Sequence, residues 1–165
     1  MSLIERARRF AREKHGQQKR KCGIKPYFSH PEAVAKRLEE LDDPNLDEDL
    51  IAAAYLHDTL EDTDATLEEL RLLFNEHVAN LVKEVTSNEA EYQNDEDNLA
   101  KGKYLAKKMN RMTHQALLIK LADREHNVSD LEECSVSFQK RYARETQFIL
   151  KHLDLKNDAL INAFI

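Results

Sequence analysis

Only three glycines and three prolines are distributed over the 165 residues of this chain. Folds built from many short strands depend on glycine and proline at their tight turns, so this scarcity argues against a β-rich fold. Long helices joined by short loops need far fewer such residues. A chain of this length can also bury a core of its own without disulfides or structural metals. We therefore predict a single all-α domain over residues 1–165, a helical bundle of roughly eight to ten helices.

Apolar spacing and helix-start signals predict where the helices lie. Ser29 with Glu32 has the spacing of a capping box, in which a hydroxyl residue and an acid three positions later bond the first backbone N–H groups. Thr66 with Glu69 repeats the pattern. The polar stretch 87–98 predicts a connection rather than a helix. The predicted helices cover residues 2–15, 29–41, about 46–62, 66–74, 75–85, 101–112, 116–131, 137–152 and 155–164.

The two cysteines, Cys22 and Cys134, lie far apart in the sequence and form no CxxC pair. A disulfide framework or a structural zinc cluster is therefore not expected, and a reducing compartment is favoured. The first ten residues, MSLIERARRF, are charged and lack the apolar stretch of a secretory signal. No apolar run approaches the length that spans a membrane. The expected location is the cytoplasm.

Positive charge is concentrated near the amino terminus. Residues 1–25 contain nine Lys or Arg against two acids, whereas the remainder contains 16 basic and 29 acidic residues. A basic patch on a chain of net charge −6 suits a small polyanion such as a nucleotide diphosphate. An extended nucleic acid is not an expected partner, because the acidic remainder would repel it. Solvated helix surface is the alternative explanation for most of the nine basic residues.

An imidazole and a carboxylate, His57 and Asp58, are adjacent in the segment HDTLEDTD and form a compact ligand pair for a divalent cation. If the helix continues for one more turn, Glu61 lies over His57. Asp62 then lies over Asp58, and four potential ligands or bases cluster at one helix end. An acidic helix end on the surface is the alternative, but it opposes the helix dipole and needs a compensating cation, which a bound metal would supply.

A second polar cluster begins at Asp123, which ends the apolar run ALLIKLAD. A buried carboxylate without a partner is costly, so Asp123 needs a metal or an ion pair. Asn127 and Asp130 follow it on the same helix face. Pairing of Asp123 with Lys120 or Arg124 is the alternative to metal binding.

Two histidines lie close to these segments in a less specific context. His30 begins a helix directly after Pro-Tyr-Phe, where on its own it would be a structural or capping residue. His126 follows Asp123 by three positions and could reach the same cleft, but a ligand role is not expected for it.

The motifs YFSHP, LHDTLEDT and IKLADREHN, taken together in this order, resemble the hydrolase domain of Rel/SpoT alarmone enzymes and of stand-alone small alarmone hydrolases. The likeness extends from AREKHGQQKRK to VSDL, which is nearly the whole chain. It implies the all-helical HD fold and one divalent metal ion, most often Mn²⁺. It also implies an activity that removes the 3′-diphosphate from guanosine tetra- or pentaphosphate.

The resemblance implies a metal centre and an acidic catalytic pair. The residues that match the family's metal ligands are His30, His57, Asp58 and Asp123. Its acidic pair, which deprotonates or positions the attacking water, corresponds to Glu61 and Asp62. From the residue types alone, a His/Asp ligand set suits Mn, Fe, Co, Ni or Zn.

The resemblance also implies substrate contacts. Arg20 and Lys21 would face substrate phosphates, and Asn127 would contact the nucleoside. Asp130 stands where many bacterial members have threonine, so it is a candidate for an altered substrate contact. The segment CGIK before the motif PYFSHP also departs from the common form, which leaves base and phosphate specificity open.

The predicted function is metal-dependent removal of the 3′-diphosphate from guanosine 3′,5′-bis-diphosphate, a small-molecule nucleotide. One alternative keeps the site but changes the substrate to an adenine alarmone, NADPH or another nucleotide. The other alternative is a metal-bearing nucleotide sensor without turnover. The presence of both Glu61 and Asp62 disfavours a sensor.

Overall fold

The computed structural model describes residues 1–93 and 98–154, and this part of the chain is helical, as predicted. It contains nine α-helices, one 3-10 helix (Glu89–Glu91), and one antiparallel bridge between Lys19 and Pro26 in place of any β-strand. The α-helices are α1 (Leu3–His15), α2 (Ser29–Glu39), α3 (Glu48–Leu56), α4 (Thr59–Asp62), α5 (Leu67–Leu73), α6 (Glu76–Val85), α7 (Ala100–Met109), α8 (His114–Ser129) and α9 (Val136–His152). The predicted helix over 155–164 lies outside the described residues.

Helix α3 is the centre of the main core. Its seven consecutive residues Leu50–Leu56 are buried, and α1, α2, α6 and α8 pack around it. Ala52, Ala53 and Ala54 are fully buried, because small side chains let neighbouring helices approach closely. The residues that follow directly, His57 and Asp58, are therefore held inside the molecule.

A second, smaller core lies between α7, α8 and α9. It contains Leu105, Met109, Leu121 and Ile149. Helix α8 belongs to both cores, since Leu118 and Ile119 pack into the main one. The polar residues of α8 that follow this apolar run are thereby fixed between the two cores.

Several predicted helix starts are confirmed. Thr66 and Glu69 form a capping box at α5, with each side chain bonded to the backbone N–H of the other residue. Asn75 accepts a hydrogen bond from the backbone N–H of Val78 and caps α6. The apolar stripe of α6 is buried, and α9 lies within one residue of its predicted limits.

Two local predictions are wrong. Ser29 is inside α2 rather than its cap, because its hydroxyl donates to Pro26 O at 2.8 Å. The carboxylate of Glu32 accepts from Arg8 at 2.7 Å instead of returning to the helix start. The predicted continuous helix through residue 62 also ends at Leu56, and α4 begins only at Thr59.

The expectation that the cysteines stay apart is also wrong. Cys22 and Cys134 form a disulfide with a Cα–Cα distance of 4.9 Å, although 112 positions separate them. The bond joins the loop between α1 and α2 to the loop between α8 and α9. Gly23 has a φ of 123°, in the region that favours glycine, where the first loop turns after Cys22. In the described part of the chain, no helix is long and apolar enough to cross a membrane.

Candidate metal centre and substrate cleft

Separate helices bring the four predicted metal ligands together. His30 lies in the first turn of α2, and Asp123 lies in α8. His57 and Asp58 occupy the break between α3 and α4. His30 Nε2 is 2.9 Å from Asp123 Oδ1 and 3.5 Å from Asp58 Oδ2. His57 Nε2 is 3.1 Å from Asp58 Oδ2 and 3.6 Å from Asp123 Oδ1.

The donor set fits a divalent metal ion. His30, His57 and Asp58 offer two nitrogens and one oxygen within 4.8 Å of one another. Bonds of about 2.0–2.2 Å from a metal to its ligands put neighbouring ligand atoms about 3 Å apart, and Asp58 Oδ2 lies 3.1 Å from His57 Nε2 and 3.5 Å from His30 Nε2. His57 Nε2 is buried and makes no hydrogen bond of adequate geometry with the described residues. Because a buried polar atom without a hydrogen bond is costly, this nitrogen is a candidate metal ligand.

Charges within the cluster compensate one another. Burial alone would lower the pKa of His57, but the carboxylates of Asp58 and Asp123 raise it well above its ordinary value. Burial would raise the pKa of Asp58, yet the imidazoles of His57 and His30 lower it. Burial also opposes ionisation of Asp123, whose pKa is held well below its usual range by Lys120 and the imidazoles. Both carboxylates are therefore ionised and available to a cation.

Further contacts fix the orientation of these side chains. His57 Nδ1 lies 2.7 Å from Ala54 O, which turns Nε2 towards the other ligands. Asp123 uses its two oxygens differently: Oδ2 is 3.0 Å from Lys120 Nζ, and Oδ1 accepts a hydrogen bond from Asn127 at 2.8 Å. Pairing with Lys120, the alternative to metal binding, thus occurs together with the imidazole contacts. Arg124 pairs instead with Glu145, at 2.9 Å.

The predicted catalytic acids, Glu61 and Asp62, both line the cleft beside the cluster. The Tyr27 hydroxyl lies 2.8 Å from Asp58 Oδ2 and 2.9 Å from Asp62 Oδ2, so it links a predicted ligand to a predicted base. The backbone N–H of Ser87 donates to Glu61. Burial raises the pKa of Glu61 and of Asp62, and the nearby Asp58 carboxylate adds to both increases. Raised pKa values suit groups that accept a proton near neutral pH.

A cleft of about 580 Å³ opens above the cluster. The predicted substrate residues Arg20, Lys21, Asn127 and Asp130 all line it. Arg20 donates to Asn127 Oδ1 at 2.7 Å and pairs with Asp130 at 3.1 Å. The ammonium of Lys21 lies 4.7 Å from the ring centroid of Phe138. We call the loops 16–28 and 130–135, which carry most of these residues and the disulfide, the rim of the cleft.

Sequence reasoning missed two residues of this site. It gave no role to Tyr27, although the motif YFSHP begins with it. It treated Lys120 only as a competing partner of Asp123. The signal for Lys120 was a single charge within the apolar run ALLIKLAD, because a lysine in the interior needs carboxylates around it. Of the basic residues in α7, Lys101 lines this cleft, whereas Lys107 and Lys108 line a separate groove between α6 and α7.

Residues 7–158 match the family model described as the HD domain. The chain belongs to the HD domain family. This membership confirms the resemblance seen in the motifs and implies dependence on a divalent metal. The nitrogen and oxygen donors of the buried cluster fit that requirement.

Similar proteins come from bacteria and animals. "Guanosine-3′,5′-bis(diphosphate) 3′-pyrophosphohydrolase" of Aquifex aeolicus is 43% identical over 147 residues, which are 88% of this chain and 20% of that protein. A "probable" enzyme of the same name from Synechocystis sp. is 40% identical over 161 residues, or 92% of this chain and 20% of that protein. The chain therefore spans about a fifth of the length of these two relatives.

A shorter relative and a solved structure each match this chain over a larger share of their own length than the two bacterial proteins do. The Xenopus tropicalis protein named "Guanosine-3′,5′-bis(diphosphate) 3′-pyrophosphohydrolase MESH1" is 41% identical over 138 residues, covering 81% of this chain and 72% of that protein. A structure reported as "A metazoan ortholog of SpoT hydrolyzes ppGpp and plays a role in starvation responses" superimposes with a TM-score of 0.83. It is 27% identical and covers 99% of this chain and 92% of its own. The predicted HD-type helical fold is thereby confirmed.

Proposed function

We propose that this protein hydrolyses guanosine 3′,5′-bis(diphosphate) and releases its 3′-diphosphate as pyrophosphate. The observation that carries the proposal is the placement of a buried His/Asp cluster at the floor of a cleft whose rim carries Arg20 and Lys21. The similarity to 3′-pyrophosphohydrolases extends over most of the chain and supports the same substrate. We propose Mn²⁺ as the metal and the cytoplasm as the location, although a disulfide between Cys22 and Cys134 is more typical of an oxidising compartment.

The floor of the cleft would hold the metal. The four ligands in the proposal are His30, His57, Asp58 and Asp123. When bound there, a divalent ion supplies Lewis acidity and lowers the pKa of a bound water towards ~7. Lys120 and Ala54 O keep the ligand atoms turned inwards, so that the site does not have to reorganise when the ion binds.

Glu61 and Asp62 would act on the attacking water. Water attacks the phosphorus bonded to the ribose 3′-oxygen, and the bond between that phosphorus and the 3′-oxygen breaks. One of the two acids takes a proton from the water, and the acid pair returns a proton to the leaving 3′-oxygen, so that the two acids end as they began. Tyr27 would keep Asp62 directed towards the cluster through its hydroxyl. The raised pKa values of both acids favour proton acceptance.

Arg20 and Lys21 would bind the substrate phosphates through charge-assisted hydrogen bonds. In the structure Arg20 is held by Asp130 and Asn127, so substrate must compete with these partners or share the guanidinium with them. We propose that Asn127 contacts the ribose and that Asp130 tunes the positive charge offered by Arg20. A monophosphate, which presents less charge, should gain less from these two cations.

The test is a comparison of kcat/KM for the guanosine alarmone, its adenosine counterpart and NADPH, with Mn²⁺ and separate detection of phosphate and pyrophosphate. Wild type should release pyrophosphate from the guanosine alarmone. Each lost charge-assisted hydrogen bond is worth about 1.5–3 kcal/mol. Arg20→Ala with Lys21→Ala should therefore raise KM at least ~10-fold.

The matched control is Lys19→Ala. Lys19 is an exposed cation in the same loop, but it does not line the cleft. Its KM should equal that of wild type. If NADPH or an adenine nucleotide turns over and the guanosine alarmone does not, the proposed substrate is wrong. If no nucleotide turns over with any divalent metal, a nucleotide sensor replaces the enzyme.

A further inference from the structure

His30 uses both of its ring nitrogens. Its Nε2 faces Asp123 and Asp58, and its Nδ1 lies 2.7 Å from Nδ1 of His126. The centroids of the two imidazole rings are 4.9 Å apart. His126 lies on α8, one turn after Asp123, and is not among the residues that line the cleft. His126 therefore contacts His30 on the side opposite the predicted metal site and does not face the cleft.

A hydrogen bond between two imidazole nitrogens requires one N–H donor and one lone pair. A metal bound at His30 Nε2 takes the lone pair of that atom, so the neutral His30 ring must carry its proton on Nδ1. That proton can then be donated only to His126 Nδ1, the atom at hydrogen-bond distance. His126 must in turn be neutral, with its own proton on Nε2.

The second histidine of the cluster is held in a different way. His57 Nδ1 faces the backbone carbonyl of Ala54 at 2.7 Å, a contact that no side-chain substitution at that position removes. His30 instead depends on a side chain from another helix. The correct tautomer of His57 is thus built into α3, whereas that of His30 depends on how α8 packs against α2.

We infer that His126 is a positioning residue that fixes the metal-binding tautomer of His30. This inference rests on the proposed role of His30 as a ligand. Partners in this position orient a ligating histidine and raise its basicity, and their loss typically costs 10–100-fold in metal affinity. His126 would act through His30 alone, without contacting metal or substrate.

The first test measures binding of Mn²⁺ alone by calorimetry, without any nucleotide. His126→Leu removes the acceptor and should weaken Mn²⁺ binding about 10–100-fold. His126→Asn should stay within a few-fold of wild type, because the asparagine Oδ1 occupies nearly the position of the histidine Nδ1 and can accept the same hydrogen bond. His77→Leu, which removes an exposed imidazole from α6, is the control and should bind as wild type does. Equal affinity of wild type and His126→Leu would overturn the inference.

The second test needs no variant and so does not depend on folding of His126→Leu. ¹⁵N NMR of the wild-type protein loaded with Zn²⁺ should show His30 Nδ1 as an N–H and His126 Nδ1 as an unprotonated acceptor. A proton found on His126 Nδ1 in the loaded protein would contradict the inference. Normal metal binding together with absent hydrolysis would contradict only the proposed function, so the two failures are distinguishable.

Discussion

The floor and the rim of the cleft are built from different parts of the fold. The four proposed metal ligands form the floor; they lie in or directly after helices packed in the main core, and each is at most 8% exposed. The rim consists of loops that ion pairs and one disulfide hold together. Core packing therefore specifies the proposed metal site, while side-chain pairing specifies the surface proposed to meet the substrate. We expect changes in the floor to abolish chemistry and changes in the rim to alter substrate binding.

The largest effect is expected from Asp123→Ala. This change removes a proposed metal ligand, so Mn²⁺ binding and turnover should fall to background. It also leaves Lys120 buried without its closest carboxylate, which should lower the free energy of unfolding by about 3–5 kcal/mol. Metal content, pyrophosphate release and urea unfolding measure the three consequences.

The double variant Asp123→Ala with Lys120→Met separates these consequences. Replacing the lysine by an apolar side chain of similar length removes the unpaired charge, so stability should largely return while metal binding stays lost. If Asp123→Ala binds Mn²⁺ as tightly as wild type, the floor is not the metal site.

A smaller effect is expected when the two proposed catalytic acids lose their charge but keep their shape. Glu61→Gln and Asp62→Asn should retain Mn²⁺ and lose about 10²–10⁴-fold in kcat, the usual contribution of a general base. Metal content and kcat are measured on the same preparations, and Glu89→Gln, a nearby acid that also lines the cleft, is the control. Loss of metal in both variants would make these acids ligands instead.

Whereas Asp123→Ala should lower the free energy of unfolding, Glu61→Gln should raise it. The pKa of Glu61 is raised in the folded protein, chiefly because the cleft partly desolvates its carboxylate, so ionisation costs stability once the pH exceeds the pKa of the unfolded chain, about 4.3. The cost is complete above the folded-state pKa and disappears as the pH falls below the unfolded value. Metal-free Glu61→Gln should therefore be more stable than wild type at pH 7 and equally stable near pH 4. Urea unfolding at the two pH values measures this difference.

The start of a helix was predictable where residues close together in the sequence determine it. Thr66 and Glu69 lie three residues apart and form their capping box locally. Ser29 and Glu32 have the same spacing, but Arg8 on another helix takes the carboxylate. Whether Ser29 and Glu32 form a capping box depends on tertiary contacts, and sequence spacing alone gives no information about those contacts.

The same distinction applies to the site. Adjacent His57 and Asp58 pointed to a candidate metal centre through a motif that resembles a known family, and the structure places both beside His30. The hydrogen bond between His30 and His126 joins residues 96 positions apart, and the contact of Tyr27 with Asp58 and Asp62 depends on how loop and helix pack. The directions of these side chains depend on the assembled fold, so no sequence pattern predicted the contacts.

The smallest effect on turnover is expected from loss of the rim disulfide. Cys22→Ser with Cys134→Ser should change KM only a few-fold, because Arg20 still pairs with Asp130 in the second loop and still bonds Asn127 at the end of α8. Stability should respond more strongly. The bond closes a loop of over a hundred residues, and constraining the unfolded chain in this way is worth up to ~5 kcal/mol.

The measurement is urea unfolding of wild type and of the double serine variant, each with and without a thiol reductant. Reduced wild type should unfold at the same urea concentration as the variant, while Mn²⁺ affinity should be equal in all four samples because no floor ligand belongs to the joined loops. A reductant that leaves wild-type stability unchanged would mean that the two thiols are free in solution. The rim would then depend on ion pairs alone, and the expectation of unpaired cysteines in a reducing compartment would be restored. A fall in Mn²⁺ affinity on reduction would instead show that the rim affects metal binding at the floor. That result would contradict the view that floor and rim are specified independently.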